Sequence, residues 1–203
     1  MIPSSGLLDV SRETVERLRA LESLLIKWNP AINLVSKATL PSAWDRHIVD
    51  SAQIYQLGQN GGHWVDLGSG GGFPGLVIAC LAAGRGDPLR VTLVESDQRK
   101  ATFLRTASAH LGLEATVVCQ RIEQVDPLQA DTLSARALAP LPVLLGYAKR
   151  HLLSPGLCLF PKGATWRQEV ELARKEWHFD LDVHQSTTDS DGAILSVKAI
   201  SHV

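Results

Sequence analysis

The 203 residues carry 20 Lys and Arg against 21 Asp and Glu, a formal net charge of −1, with 45% hydrophobic content. That length favours one moderate domain with room for a small appendage, and the composition is ordinary for a globular protein. The charge balance excludes the overall basic excess that marks many nucleic-acid binders, while leaving a local basic face open. Cys80, Cys119 and Cys158 each lie in an apolar run with no paired spacing. This argues against a disulfide framework and a zinc site and predicts buried, reduced thiols. The start, MIPSSGLLDVSRETVERL, lacks a basic stretch leading into an apolar core, and no apolar run nears the ~18 residues of a membrane span. The expectation is a cytoplasmic, metal-free protein with no membrane contact, and a monomer.

In chain order, Val15, Leu18, Leu21, Leu24, Leu25 and Trp28 recur at three-to-four spacing behind Ser11, predicting an amphipathic helix over 11–28. NPAINLVSK then reads as a Pro- and Asn-marked connection. A second helix is expected from Pro41, burying Trp44, Ile48, Ala52 and Tyr55. From residue 63 short apolar runs alternate with helical stretches: strand 63–67, helix 74–83, strand 90–95, helix 97–111 and strand 115–119. A short helix at 123–128, strand 131–135, helix 141–152, strand 156–160, helix 166–177 and strands 180–185 and 193–200 follow. Such alternation calls for a doubly wound, mostly parallel sheet, here of seven strands. STTDSDGA, between the last two, is too short for a helical crossover, so those strands should form an antiparallel hairpin. The expected organisation is an N-terminal helical extension over 1–60 and a Rossmann-like α/β domain over 61–203.

VDLGSGGGFPG, residues 65–75, follows the first of these strands and fits two templates. Gly70, Gly72 and Gly75 spell the dinucleotide signature, and Asp66, Gly68, Gly70 and Gly72 spell the loop that holds S-adenosylmethionine in methyltransferases. Three features favour the second. Asp66 stands where dinucleotide folds want an apolar residue; it would orient the loop or meet the methionine ammonium, and would sit badly beside a pyrophosphate. Pro74 removes a backbone N–H that a pyrophosphate would use, and the terminal hairpin is foreign to most dehydrogenases. Glu95, twenty residues after Gly75, is placed to accept both ribose hydroxyls of an adenosine, which either template requires. In CQRIEQ, Ile122 and Glu123 are placed to frame an adenine.

Further segments join these: WNPAINLVS (28–36), RHIVDS (46–51), ESDQRKATFL (95–104), SARALAP (134–140) and PKG (161–163). As a set, from residue 28 to 163, they resemble the bacterial small-subunit ribosomal RNA guanine-N7 methyltransferases, the glucose-inhibited division protein B family. The resemblance implies S-adenosylmethionine as methyl donor and guanosine 527 (RNA numbering), in the decoding-region loop of 16S rRNA, as target, presented by the rRNA or the small ribosomal subunit. It implies cofactor contacts from Gly68, Phe73, Ile122, Glu123 and Arg136, with Glu95 on the ribose. Val35 and Arg99 depart from the family's frequent Thr and Lys.

The absence of Asn-Pro-Pro-aromatic and Pro-Cys segments turns away from exocyclic-amine and carbon-5 pyrimidine methylation. Guanine N7 offers a lone pair without losing a proton, so it needs no general base. Arg136 and Lys162 are the cations expected near the target, for the cofactor carboxylate, a phosphate or the base. His47 and Asp50, three apart, read as a pair tying the N-terminal helices to the sheet or as walls of an RNA pocket. A nicotinamide-dependent oxidoreductase is the competing enzyme class.

Overall fold

The computed structural model describes residues 10–59 and 61–203; expectations placed on residues 1–9 and 60 lie outside them. Helix α1 spans Arg12–Ile32, and the Ser11 hydroxyl caps it by accepting the Thr14 N–H at 3.2 Å. Leu18, Leu21 and Leu25 are buried on its inner face, and Val15, Leu24 and Trp28 half-buried. The helix does not stop at residue 28 but runs through Pro30. Pro30 and Ile26, whose carbonyl loses its i+4 donor, are both exposed, so the lost bond falls on the solvent-facing side of the helix, where water can replace it. The stop comes at Asn33, left-handed with φ 50, whose N–H reaches the Asn29 carbonyl at 2.9 Å. Buried Asn29 then takes the Val35 N–H on its side-chain oxygen at 2.8 Å, which sets the course of the following loop.

The single helix expected from Pro41 is instead three joined turns. A 3-10 turn covers Leu40–Ser42, a π-helical stretch Trp44–Val49, and α2 Asp50–Tyr55. Ile48, Ala52 and Tyr55 are buried as expected, whereas Trp44 is half-buried, with the Arg19 guanidinium 3.5 Å above its ring. Widened π turns concentrate at functional sites, and this one carries His47 and delivers the chain to Asp50.

Seven strands follow: β1 Gly62–Leu67, β2 Leu89–Val94, β3 Thr116–Val118, β4 Ala130–Ala135, β5 Leu152–Lys162, β6 Trp177–Gln185 and β7 Ala193–His202. Between them run α3 Gly75–Arg85, α4 Gln98–His110, α5 Leu141–His151 and α6 Trp166–Ala173. The sheet order is β3-β2-β1-β4-β5-β7-β6, with β7 antiparallel to both neighbours and every other pairing parallel. The expected hairpin is therefore present, with β6 and β7 longer than the apolar runs that announced them. Two expected helices shrink. The one at 123–128 is a single 3-10 turn, Ile122–Gln124, because Val125 turns inward and is buried, and Pro127 disfavours helical backbone before it. The one at 166–177 ends at Ala173, as Trp177 already pairs with His202 in β6.

Two apolar clusters cover the sheet. Leu18, Leu21 and Leu25 of α1 share one with Leu76 and Ile78 of α3 and Phe103 of α4, so the N-terminal helices are packed into the core of the sheet domain. The other joins α5 and α6 to Val65, Leu133, Phe160 and Leu195. Among the described residues no helix is long and apolar enough to cross a membrane. Register positions the site: Leu67 pairs with Val94 on one side and Ala135 on the other. Their successors Gly68, Glu95 and Arg136 therefore leave the sheet side by side, where the strand order reverses and wound sheets bind ligands.

Candidate active site

A cavity of about 930 Å³ opens over these strand ends. Gly68, Gly70, Phe73, Glu95, Ile122, Glu123, Arg136 and Lys162, scattered over 95 residues, all line it. Asp66 does not. Its side chain is 0% exposed and sits beneath the loop, so of its two expected roles it has the bracing one. One carboxylate oxygen accepts the Ser134 hydroxyl at 2.8 Å and the other the Gly75 N–H at 3.2 Å, while Trp64 Nε1 donates to Ser134 at 2.9 Å. Burial pushes the Asp66 carboxyl up to about 6, against the hydrogen bonds from Ser134, Ser69 and Gly75 and the charge of Arg136.

The glycines divide by what a side chain would meet. A Cβ on Gly68 would strike Leu138 at 2.6 Å and one on Gly72 would strike Leu76 at 2.5 Å; Gly75 is closed by Leu93 and Asp66. These three serve the packing of the loop. Gly70 differs: its φ is 53, and a Cβ there would meet nothing nearer than the Gly68 carbonyl at 3.8 Å. Its N–H donates to Glu95 Oε2 at 2.9 Å, and Glu95 Oε1 takes the Asp97 N–H at 2.8 Å. Each Glu95 oxygen keeps a lone pair for a further donor. Glu95 is 8% exposed and lies just past β2, one residue outside the strand expected to include it. Exposed Glu123 accepts the Tyr147 hydroxyl at 2.6 Å, while Ile122 beside it is buried; sequence reasoning passed over Tyr147.

Arg136 is the hub of the opposite wall. Its Nη1 donates to the Arg46 carbonyl at 3.1 Å and to Asp50 Oδ2 at 3.3 Å, and its Nη2 meets His47 Nδ1 at 3.1 Å. An arginine nitrogen only donates, so His47 Nδ1 accepts and its Nε2–H donates to Thr39 Oγ1 at 2.9 Å. Burial first, then the Arg136 charge, push the His47 imidazole down to about 4. His47 also stacks on Phe73, ring centres 5.1 Å apart, and the Arg136 guanidinium lies 5.3 Å from the same ring. His47 and Asp50 thus tie the N-terminal helices to the sheet through Arg136, and both line the cavity.

Lys162 is held in the cavity wall by two hydrogen bonds. Its side chain is 9% exposed, and Nζ donates to Glu169 at 2.7 Å and the Ala139 carbonyl at 2.8 Å. Glu169 also caps α5 by accepting the Leu141 N–H at 2.9 Å. Besides Arg136 and Lys162, the basic residues Arg46, Lys100 and Arg121 line the cavity. Arg105 and Arg150 instead bond the carbonyls of Val117 and Val125. Cys80 and Cys158 are buried, which pushes the Cys80 thiol up to about 12 and Cys158 higher still. Cys119 is a correction: just past the short edge strand β3 it is only half-buried, its thiol 3.2 Å from Gln98 Oε1. The loop joining β6 to β7, read from sequence only as a turn, lines the cavity through Ser186, Thr188, Asp189 and Gly192. Ser, Thr and Asp are ordinary turn residues, so nothing in that stretch signalled a site.

Fold and site together define an S-adenosylmethionine-dependent methyltransferase. Two solved structures show the same architecture. A SAM-dependent methyltransferase from Aquifex aeolicus superposes with TM-score 0.59 at 14% identity, over 79% of this chain and 93% of that one. A TehB-like SAM-dependent methyltransferase from Corynebacterium glutamicum gives 0.59 at 15% identity, over 91% and 100%. The family model for rRNA small subunit methyltransferase G (GidB) matches residues 14–196, and the chain belongs to that family. The ribosomal RNA small subunit methyltransferase G of Ruegeria pomeroyi is 50% identical over 203 residues, 100% of each chain. Its namesake from Paracoccus denitrificans is 51% identical over 197, covering 96% of this chain and all of its own. Membership of this methyltransferase family sets the oxidoreductase alternative aside.

Proposed function

We propose that this enzyme methylates N7 of guanosine 527 (RNA numbering) in the decoding-region loop of 16S rRNA, acting on the rRNA or the small ribosomal subunit. The observation that carries the reading is the joint placement of Gly68, Gly70, Glu95 and Arg136 around one cavity, in a chain of this family. The residues fit S-adenosylmethionine. Gly70 leaves room for a ligand against the loop, and Glu95 has acceptor capacity for ribose hydroxyls. Ile122 and Glu123 offer an apolar contact and an acceptor for adenine, and Arg136 a cation for the amino-acid carboxylate or the target. When bound, S-adenosylmethionine supplies an electrophilic methyl group on a sulfonium, whose S–CH3 electron pair returns to sulfur as the guanine N7 lone pair forms the new N–C bond. The base becomes cationic and sheds no proton, and His47, with each ring nitrogen in a hydrogen bond, is not spare for a general base. The chain's own contribution is positioning: a braced loop, a held guanidinium and a half-enclosed cavity bring two reactants into line.

The reading is tested by nucleoside analysis of 16S rRNA from a strain lacking the gene. Loss of N7-methylguanosine at position 527, restored by the wild-type gene, is the expected result; an unchanged modification pattern refutes it.

A further inference from the structure

A lone pair at N7 is common to guanine and adenine, so the displacement chemistry does not choose between the two purines. Some group must read the base. In guanine N7 lies on one edge of the ring system, and the N1–H and N2–H₂ donors on the opposite one. A reader of those donors must face the methyl donor across the cavity. The sheet supplies such an arrangement. The loops that fit the cofactor follow β1, β2 and β3, whereas the β6–β7 loop lies toward the other end of the order β3-β2-β1-β4-β5-β7-β6. The pairing of Lys162 with Ala193 brings that loop to the same carboxyl edge of the sheet.

Among the described residues five carboxylates line the cavity: Asp50, Glu95, Glu123, Glu169 and Asp189. Asp50 is committed to Arg136, Gln53 and Thr188, and Glu169 to Lys162 and Leu141, while Glu95, which keeps acceptor capacity, stands just past β2 at the cofactor end. Glu123 holds Tyr147 beside β3, at the cofactor end. Asp189 is the one at the hairpin end with acceptor capacity to spare. Its Oδ1 takes the Asp191 N–H at 3.1 Å, and Oδ2 meets Arg46 only at 3.9 Å, beyond hydrogen-bond length. Its backbone is already fixed: the Asp189 N–H donates to Ser186 Oγ at 3.2 Å and its carbonyl accepts from Gly192 at 3.1 Å. The loop is anchored from the N-terminal side by Gln53, which takes the Thr187 N–H at 3.0 Å, and by Asp50, which takes the Thr188 hydroxyl at 2.6 Å.

We infer that Asp189 is the specificity-determining residue for the target base, its carboxylate accepting N1–H and N2–H₂ of guanine while N7 faces the methyl donor. Adenine presents a bare N1 lone pair at the same place and is repelled. This rests on the N7 assignment above, and deepens it by naming what selects guanine. Substrate rRNA carrying inosine, which lacks the N2 amino group, at the target position reports the contact directly. Under single-turnover conditions wild type should methylate guanosine about ten- to a hundredfold faster than inosine, the discrimination of a bidentate base contact. Asp189→Asn loses one acceptor and adds a clashing donor. Its guanosine rate should fall about as far, with inosine little changed, so that the preference nearly vanishes. S-adenosylhomocysteine affinity and the melting curve should stay as in wild type. A wild type indifferent to inosine overturns the proposal without recourse to any variant, and so does an Asp189→Asn protein that keeps the full preference. A wild type that binds S-adenosylhomocysteine yet leaves guanine N7 unmethylated overturns the N7 reading itself, a distinguishable failure.

Discussion

The Asp50 carboxylate joins three parts of the chain that are far apart in sequence: Oδ2 takes Arg136 at 3.3 Å and Oδ1 takes the Thr188 hydroxyl at 2.6 Å. Asp50 and Arg136 are each less than a fifth exposed, so their attraction is only partly screened. Asp50→Ala strands a guanidinium against the cavity wall and releases the hairpin loop. The expected loss is about 1.5–3 kcal/mol of transition-state stabilisation, roughly ten- to a hundredfold in kcat/KM. Asp50→Asn, which still accepts and donates, should fall between. Steady-state kinetics with both variants checks this; wild-type kcat/KM in Asp50→Ala would mean that Arg136 needs no holding.

Gly70 and Gly72 should respond to alanine in opposite ways. At Gly70 the added methyl group meets open cavity, so the protein folds with the ~1–2 kcal/mol strain of a left-handed non-glycine residue, and S-adenosylhomocysteine affinity falls at least tenfold. At Gly72 the methyl group collides with Leu76, so stability falls first. Calorimetric titration and thermal melts separate the two. Glu95→Ala should weaken binding by roughly ten- to a hundredfold, with a modest drop in melting temperature, because the Gly70 and Asp97 N–H groups lose their acceptor. Normal affinity in Gly70→Ala would make the loop a turn and nothing more.

The pH dependence of stability carries the signature of His47. Its pKa is about 4 folded against 6.5 in the free side chain. As pH falls, the unfolded chain takes the proton first. The stabilisation from neutral His47 is therefore complete above about 6.5 and drains away between 6.5 and 4, by on the order of 3 kcal/mol. Asp66 acts with the opposite sign: its pKa is raised from 3.8 to about 6, so folding is favoured as pH drops through that interval. Asp66 is common to wild type and His47→Gln, so their difference isolates the imidazole. Denaturant melts from pH 7.5 to 4 should show a shallower loss in His47→Gln, and parallel curves would contradict a buried imidazole held neutral.

Residues whose placement follows from strand ends were legible in the sequence. Gly68, Glu95, Ile122 and Arg136 each stand one to four residues past an apolar run, and parallel register brings such positions to one edge of the sheet. What hid was anything depending on which loops meet. Asp50 finds Arg136 86 residues away and Thr188 138 away, and no local pattern encodes either partner. Lys162 was expected as a cation for the target, but Glu169, seven residues on, holds it at 2.7 Å. The extension of α1 through Pro30 was missed because proline is tolerated where its lost hydrogen bond faces water. Asp66 was visible as unusual in its template, but only burial decides that it braces the loop from below.

The central claim, attack by guanine N7 in this cavity, is tested most directly by single-turnover methyl transfer to small-subunit rRNA carrying guanosine or 7-deazaguanosine at position 527. One methyl group per guanosine-bearing RNA and none on the 7-deaza RNA, which lacks only the attacking nitrogen, is the expected result. Transfer to the 7-deaza RNA at a comparable rate would place the methyl group on another atom and contradict the account.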